Sequence, residues 1–560
     1  MAPATLAWNE TLSSPIPASA LVRPHIGDAD ARCRDIEAQP LPGSVPEVLA
    51  NAAERFPDRV ALHFIEDRRT LTYRQLSQDV ARFADGLAQL GVRRGTHVGV
   101  MLPNGVEFPV TWLALATLGA VMVPINIAYT RREFEFVAGN AEIEYLVVDE
   151  AFLAAAASAW SDDPKRERQI VAKGEGPTVS RFATWDSVLA LGSDSFACER
   201  PHSSDLLNIQ YTSGTTGFPK GCMLTHEYWV VAGKVNAFRD GVVYERILAS
   251  TPFFYMDPQW LLLMSFFQGA TLFVARRQST SRFLGWLRDY RIHFCLFPQP
   301  LLMLPASEED AVNEVRRANI YGLRPSAHAA LEQRFGLNAR EAFGMTETGP
   351  VMFMPLADSG RIGSGSCGRP GPFRQCRIMR EDGTETSDDE AGELQVRGRG
   401  ILRGYFGNDE ATQAALDGDW FRTGDLFRRD AAGYFRIIGR KKDMIRRSAE
   451  NIPAREVEAV IQAMPGIEEV AAIAVPDELR GEEVKIFVVT TDPRGAGALP
   501  PTAILQHAAR DLAPFKVPRY VQYVGSLPKT PSGKVCKQEL LSTYGDQKAG
   551  CWDQVDGQWR

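Results

Sequence analysis

Val80, Phe83, Leu87 and Leu90 fall at helical spacing on one face, Gly91 is placed to end that helix, and the apolar run 96–102 that follows has the length of a strand. The alternation then repeats. An apolar segment at 110–118 predicts a buried helix, 121–125 a buried strand, the region near Arg132 a second helix, and 144–149 (EYLVVD) another short strand. Residues 249–260, the strand-like 269–275 (GATLFVA) and the amphipathic 283–290 (FLGWLRDY) continue it. Strands alternating with helices predict an α/β fold built on mostly parallel sheets flanked by helices. From about 363 to 436 the texture changes to short β-like runs such as 392–396 and 433–438, which predicts a small β-rich subdomain. Beyond Gly439 a compact pattern returns. Val457, Val460, Ile461 and Met464 share a helix face, 470–475, 484–490 and 520–524 read as strands, and a helix starts near Thr502.

The expected organisation is an N-terminal arm over 1–44, rich in Pro and Ala and loosely packed, a large domain over 45–439, a small mobile α+β C-terminal domain over 440–545, and a tail over 546–560. The 560 residues are 45% hydrophobic and 23% charged, which is ordinary for a globular protein with a large core. A net charge of −7 without a long basic run argues against a nucleic-acid surface and leaves small ligands as partners. The eight cysteines are scattered without a CxxC pair, so neither a zinc site nor a disulfide framework is indicated. The first residues lack a basic segment followed by an apolar core, and a cytoplasmic protein, monomeric or homodimeric, is expected. The longest apolar stretch, 110–128, is interrupted by Pro124 and Asn126 and reads as a helix turning into a strand, with no membrane span.

Residues 211–221, YTSGTTGFPKG, hold the densest chemistry: three glycines, four hydroxyls and a lysine. Glycines expose backbone N–H groups at positive φ, and hydroxyls with Lys220 add donors, a composition suited to phosphate. A strand-like run at 206–211 precedes the loop and a helical pattern begins at Leu224, so the loop joins regular elements. It is not a Walker A motif, because position 219 is proline and Lys220 is followed by Gly221; Gly533 and Lys534 fail as well, since the first glycine would fall on Pro528. Gly363, Gly365 and Gly368 match GxGxxG, but no strand precedes them and Pro370 and Pro372 stand where a helix would open.

The whole string resembles the phosphate loop of the adenylate-forming superfamily, which includes acyl-CoA synthetases, adenylation domains and firefly luciferase, and among these the chain looks most like the AMP-forming acyl-CoA synthetases. Further motifs appear in the family's order: LTYRQL at 71–76, FGMTETG at 343–349, FRTGD at 421–425, GRKKDMIRRSAENI at 439–452 and PKTPSGKVCKQEL at 528–540. The resemblance covers roughly 45–540 and implies activation of a carboxylic acid by Mg-ATP to an acyl-adenylate, followed by transfer to coenzyme A. It implies that Thr212, Ser213, Gly214, Thr215, Thr216, Gly217 and Lys220 cradle phosphates, that Phe343 and Gly344 line the nucleotide site, and that Thr346 bonds the α-phosphate. It further implies that Glu347 helps hold Mg²⁺, Asp425 takes the ribose hydroxyls, Arg440 contacts ribose or phosphates, Lys442 is the hinge and Lys534 is the catalytic lysine of adenylation. A hard cation prefers oxygen ligands, and an acceptor-only carboxylate can take both ribose hydroxyls.

Three places depart from the family pattern. The adenine loop reads Gly322, Leu323, Arg324, Pro325, bulkier than in many relatives. Tyr255 follows Pro252, Phe253 and Phe254 where many acyl-CoA synthetases carry histidine, which makes Phe254, Tyr255, Met256, Asp257 and Trp260 candidates for the acyl pocket. Ala449 stands where thioester-forming relatives usually have glycine beside the pantetheine tunnel, so a carrier-protein phosphopantetheine acting in trans, or an amine, is the alternative acceptor. A non-catalytic nucleotide-binding protein on the same fold is a third reading.

Overall fold

The computed structural model describes residues 28–160, 168–212, 219–323, 325–440, 444–448, 450–528, 535, 537, 540, 543 and 547–560. Ser213, Gly214, Thr215, Thr216, Gly217, Lys442, Ala449 and Lys534 lie outside the described residues, and of Arg440 only the backbone is described.

Two sheets form the large domain. One runs in the order Ala183–Thr184, Ile170–Lys173, Tyr145–Asp149, His97–Met101, Val121–Pro124, Leu206–Thr212, Lys220–Thr225, parallel except for the final hairpin. The other is centred on parallel strands Ala339–Met345, Arg317–Ile320, Phe294–Leu296, Arg246–Ala249, Thr271–Val274 and Val60–Phe64, with antiparallel strands at both edges. Helices Glu107–Leu118, His226–Phe238 and Met256–Gln268 are buried on almost every side and share one core, in which Trp112 and Trp229 meet edge to face at 5.2 Å. This accounts for their nearly uniform apolar sequences, which carry little helical amphipathicity. The apolar stretch at 110–128 is divided between helix Glu107–Leu118 and strand Val121–Pro124, and no described helix is long and apolar enough to cross a membrane.

Helix Tyr73–Leu90 is bounded as its sequence suggests. Thr72 accepts from the Gln75 N–H, the Gln75 side chain accepts from the Thr72 N–H, and Gly91 closes the helix at φ +108°. Its Tyr73 hydroxyl donates to the carbonyls of Ser265 and Ala270, which ties LTYRQL to the core. The segment after the phosphate loop differs from the helical pattern expected from Leu224. Residues 220–225 form a strand antiparallel to Leu206–Thr212, and the helix begins at His226, capped by Thr225.

The β-rich subdomain is a sheet of Arg374–Met379, Gly392–Gly398, Trp420–Arg429, Leu416–Asp417 and Phe435–Arg440. The small domain packs helices Ala454–Gln462 and Pro501–Asp511 on a sheet of Glu450–Pro453, Met444–Arg447, Gly481–Thr490, Ile467–Asp477 and Tyr520–Tyr523. Strands Trp552–Asp553 and Gln558–Trp559 extend that sheet, where buried Asp553 accepts from Arg519 and Arg560. At the other end of the chain, helix Ala29–Ala38 is capped by Asp28 and packs Ile36 against Val231 and Val235.

Candidate functional site

A cavity of about 2040 Å³ opens between the two large sheets, the β-rich subdomain and the small domain. The hairpin brings Thr212 and Lys220 to it, the end of strand Ala339–Met345 brings Phe343 and Gly344, the turn after it brings Thr346 and Glu347, and strand Trp420–Arg429 brings Asp425. The start of helix Met256–Gln268 adds Phe254, Tyr255, Met256, Asp257 and Trp260. Twelve residues singled out from the sequence thus face one space.

Local packing fixes these positions. Strand Ala339–Met345 shifts register between Phe343 and Gly344, and a Cβ on Gly344 would stand 2.7 Å from the Gly349 carbonyl oxygen, so no larger residue fits the bulge. Tyr228 donates its hydroxyl to the Thr346 carbonyl at 2.9 Å, and the Leu402 N–H donates to the Glu347 carbonyl at 2.7 Å. The Tyr405 hydroxyl donates to Glu347 Oε1 at 3.1 Å, while Lys220 Nζ lies 4.7 Å from the centre of the Tyr405 ring. Tyr405 therefore links the hairpin that carries Lys220 to Glu347, and burial with the nearby Glu347 charge keeps its hydroxyl protonated. Asp425 is fully buried, one residue after Gly424 at φ +70°.

The departures have structural partners. Glu341, on strand Ala339–Met345, accepts the N–H groups of Gly322 and Leu323 at 3.1 and 2.9 Å, which holds the loop despite its bulk. Burial pushes the Glu341 carboxyl up to about 8. The Tyr255 hydroxyl accepts from Asn126 Nδ2 at 3.1 Å and donates to Glu450 of the small domain, so the hairpin Met444–Pro453 is joined to the cavity wall. Arg446 and Ser448 from this hairpin line the cavity too. Lys516 reinforces the contact between domains. It is 3% exposed and its ammonium reaches Glu133 of the large domain at 2.8 Å and Glu456 of its own domain at 2.6 Å.

Tyr405, Glu341, Glu450, Asn236, Arg239 and Tyr321 belong to the site or its support and were not singled out from the sequence. Apart from Glu450, which lies within the 439–452 motif, they stand in no motif, and only the tertiary structure brings them to the other site residues. Among the described residues no cluster of three or more His, Cys, Asp or Glu side chains forms a metal cage. One carboxylate at Glu347 suits a hard cation that takes its remaining ligands from phosphate and water.

This is the architecture of an enzyme that activates acids with a nucleotide, and the chain belongs to the AMP-binding enzyme family, which it matches over residues 49–406, with the family's C-terminal domain matched over 456–534. It is an ATP-dependent, AMP-forming acid:CoA ligase. It is 31% identical over 513 residues to a sulfoacetate–CoA ligase of Cupriavidus necator, covering 88% of this chain and 97% of that protein. It is 30% identical over 509 residues to a crotonobetaine/carnitine–CoA ligase of Citrobacter koseri, covering 87% and 97%. Among solved structures, an amide bond synthetase of Marinactinospora thermotolerans shares the fold, with a TM-score of 0.80 at 24% identity over 89% of this chain and 99% of that one.

Proposed function

We propose that the protein activates a small, polar carboxylic acid in two steps at this one cavity. A carboxylate oxygen attacks the α-phosphorus of ATP and pyrophosphate leaves; the thiolate sulfur of coenzyme A then attacks the acyl carbon and AMP leaves. Convergence of Thr346, Glu347, Asp425 and Lys220 with the acyl-wall residues on one cavity is the observation that supports this. In this reading Thr212, Lys220 and the 213–217 loop hold the β- and γ-phosphates, Thr346 donates to the α-phosphate, and Asp425 with Arg440 takes the ribose. The adenine lies along the Gly322–Leu323 backbone that Glu341 fixes. Magnesium bound beside Glu347 would neutralise phosphate charge. Lys534 stabilises charge developing on the α-phosphate during the first step.

The small domain would then turn about Lys442. The observed orientation, with the Met444–Pro453 hairpin against Tyr255, is the one we assign to the thiol step, since this hairpin brings Arg446, Ser448 and Glu450 to the cavity beside the acyl wall. Covering the cavity keeps the reactive adenylate from water. The named acids of the two relatives, sulfoacetate and crotonobetaine or carnitine, are short and charged, and the half-polar wall of Asn236, Arg239, Asp257 and Tyr321 favours such an acid over a long alkyl chain. The test is Lys534→Ala. It should abolish carboxylate-dependent ATP/pyrophosphate exchange and leave thioester formation from supplied acyl-adenylate and coenzyme A largely intact. Equal loss of both half-reactions would contradict the division of labour.

A further inference from the structure

Arg239 follows helix His226–Phe238, is 2% exposed, and lines the cavity on the wall that also carries Asn236, Tyr321 and Trp260. Its contacts leave it under-satisfied. Nη2 donates to Asn319 Oδ1 at 3.1 Å and the guanidinium lies over the Phe353 ring at 5.2 Å. Nε has no hydrogen-bond acceptor among the described residues, and the nearest carboxylate, Asp240, is 4.0 Å away. That carboxylate is already engaged by Arg317 at 2.8 Å and by the Tyr244 hydroxyl at 2.9 Å. Two buried guanidiniums thus share one buried aspartate, and desolvation with the Arg317 charge draws the Arg239 guanidinium down to about 10. Arg239 is among the residues that line the cavity, and no acceptor for Nη1 is found among the described residues.

A buried cation without a full partner is costly, and an arginine fork matches a planar or tetrahedral oxyanion bidentately. The other charged group on this wall is better compensated. Asp257 sits in the first turn of helix Met256–Gln268, where the helix dipole favours it, and Oδ1 accepts from the Trp260 indole at 3.1 Å. Burial raises the Asp257 pKa, which weakens its claim on a cationic substituent.

We propose that the acyl cavity selects acids carrying a second anionic group, a carboxylate or sulfonate, which Arg239 binds while the first carboxylate is adenylated. The proposal rests on the ligase reading above and names its substrate class. The experiment measures kcat/KM by pyrophosphate release and by thioester formation, with the full chain, Mg-ATP and coenzyme A. Succinate and 3-sulfopropionate are compared with butyrate, glutarate with valerate and adipate with hexanoate, and 4-(trimethylammonio)butanoate represents a cationic acid.

The expected result is that at least one dianion exceeds its matched mono-acid by about 10- to 100-fold, the range of a charge-assisted hydrogen-bond pair. Arg239→Gln should lower kcat/KM for that dianion by about the same factor more than for the mono-acid, chiefly through KM, and Arg239→Lys should restore part of the difference. Preference of the unmodified protein for mono-acids or for the trimethylammonio acid over every dianion overturns the anion subsite and leaves the ligase reading standing. Absence of pyrophosphate release with every acid overturns both. The comparison across acids in the unmodified protein decides the matter even if Arg239→Gln does not fold.

Discussion

Glu133→Gln tests whether the observed domain orientation is the one that serves the thiol step. Glu133 uses its two oxygens differently: Oε2 accepts from the Thr130 N–H and hydroxyl at 2.9 and 3.0 Å and caps helix Arg131–Asn140, while Oε1 accepts from Lys516 Nζ at 2.8 Å. Glutamine keeps an acceptor for the cap and removes the charge that Lys516 meets across the domain boundary. Lys516 retains Glu456 at 2.6 Å, so the variant leaves no bare buried ammonium and the full cost of breaking a buried pair does not apply. The loss is that of one charged hydrogen bond, about 1.5–3 kcal/mol, which corresponds to about 10- to 150-fold in the equilibrium between orientations. The assay separates the half-reactions, ATP/pyrophosphate exchange on one side and thioester formation from supplied acyl-adenylate on the other. The ratio of thioester formation to exchange should fall by up to that factor, with exchange maintained. An unchanged ratio, or a fall shared equally by both, refutes the assignment of this orientation.

Two further predictions concern stability. Glu341 is 6% exposed and its carboxyl is raised from 4.5 to about 8, so the folded state holds its proton more tightly than the unfolded chain does. That stabilisation is present below pH 4.5 and is lost as pH rises through about 8, a change of about 5 kcal/mol. Denaturant midpoints from pH 5 to 8 should fall less steeply for Glu341→Gln than for the unmodified protein, and identical slopes would show that this carboxyl does not set the pH dependence. Gly86 lies where helix Tyr73–Leu90 crosses helix Trp185–Leu191, and a Cβ there would stand 2.0 Å from the Val188 carbonyl oxygen. Gly86→Ala should cost about 1–3 kcal/mol in thermal unfolding, as overpacking does, and a neutral or higher melting temperature would mean that the two helices separate freely.

The alternation of helices and strands was legible wherever one face carried the apolar residues, as in helix Tyr73–Leu90, or wherever a short apolar run was bounded by turn residues, as in Val121–Pro124. Residues 220–225 were not legible as a strand. KGCMLT runs without a turn signal into an apolar helix, and its pairing partner, Leu206–Thr212, lies across the phosphate loop. Helix Ala29–Ala38 escaped for a related reason: it buries only Arg32 and Ile36, too few positions to impose a period. The same contrast holds at the site. Thr346, Glu347 and Asp425 stand in short strings whose spacing chemistry dictates, whereas Tyr405 reaches Glu347 from 58 residues away and Glu341 supports the Gly322–Leu323 backbone from a neighbouring strand. Arg239 was invisible because an arginine at a helix end ordinarily projects into water. Its burial depends on Asn319, Phe353 and Asp240 meeting around it.

Tyr255 connects these observations. It precedes helix Met256–Gln268 as N-cap, so its backbone belongs to the wall that carries Asp257 and Trp260, while its hydroxyl spans Asn126 and Glu450. A histidine ring at this position would place its polar atoms nearer the backbone; the longer tyrosine carries the contact outward to the small domain. The proposed acyl wall and the Met444–Pro453 hairpin are therefore joined through one side chain, and Arg239 and Asp257 lie near Tyr321 in the same cavity. Burial raises the Glu450 pKa, and the hydrogen bond donated by the Tyr255 hydroxyl opposes that shift by favouring the carboxylate. An acid that displaced Tyr255 would loosen the hairpin, and one that fitted beneath it would leave the cover in place. On the proposed reading, selection of the acid and closure over the acyl-adenylate would act through the same contact.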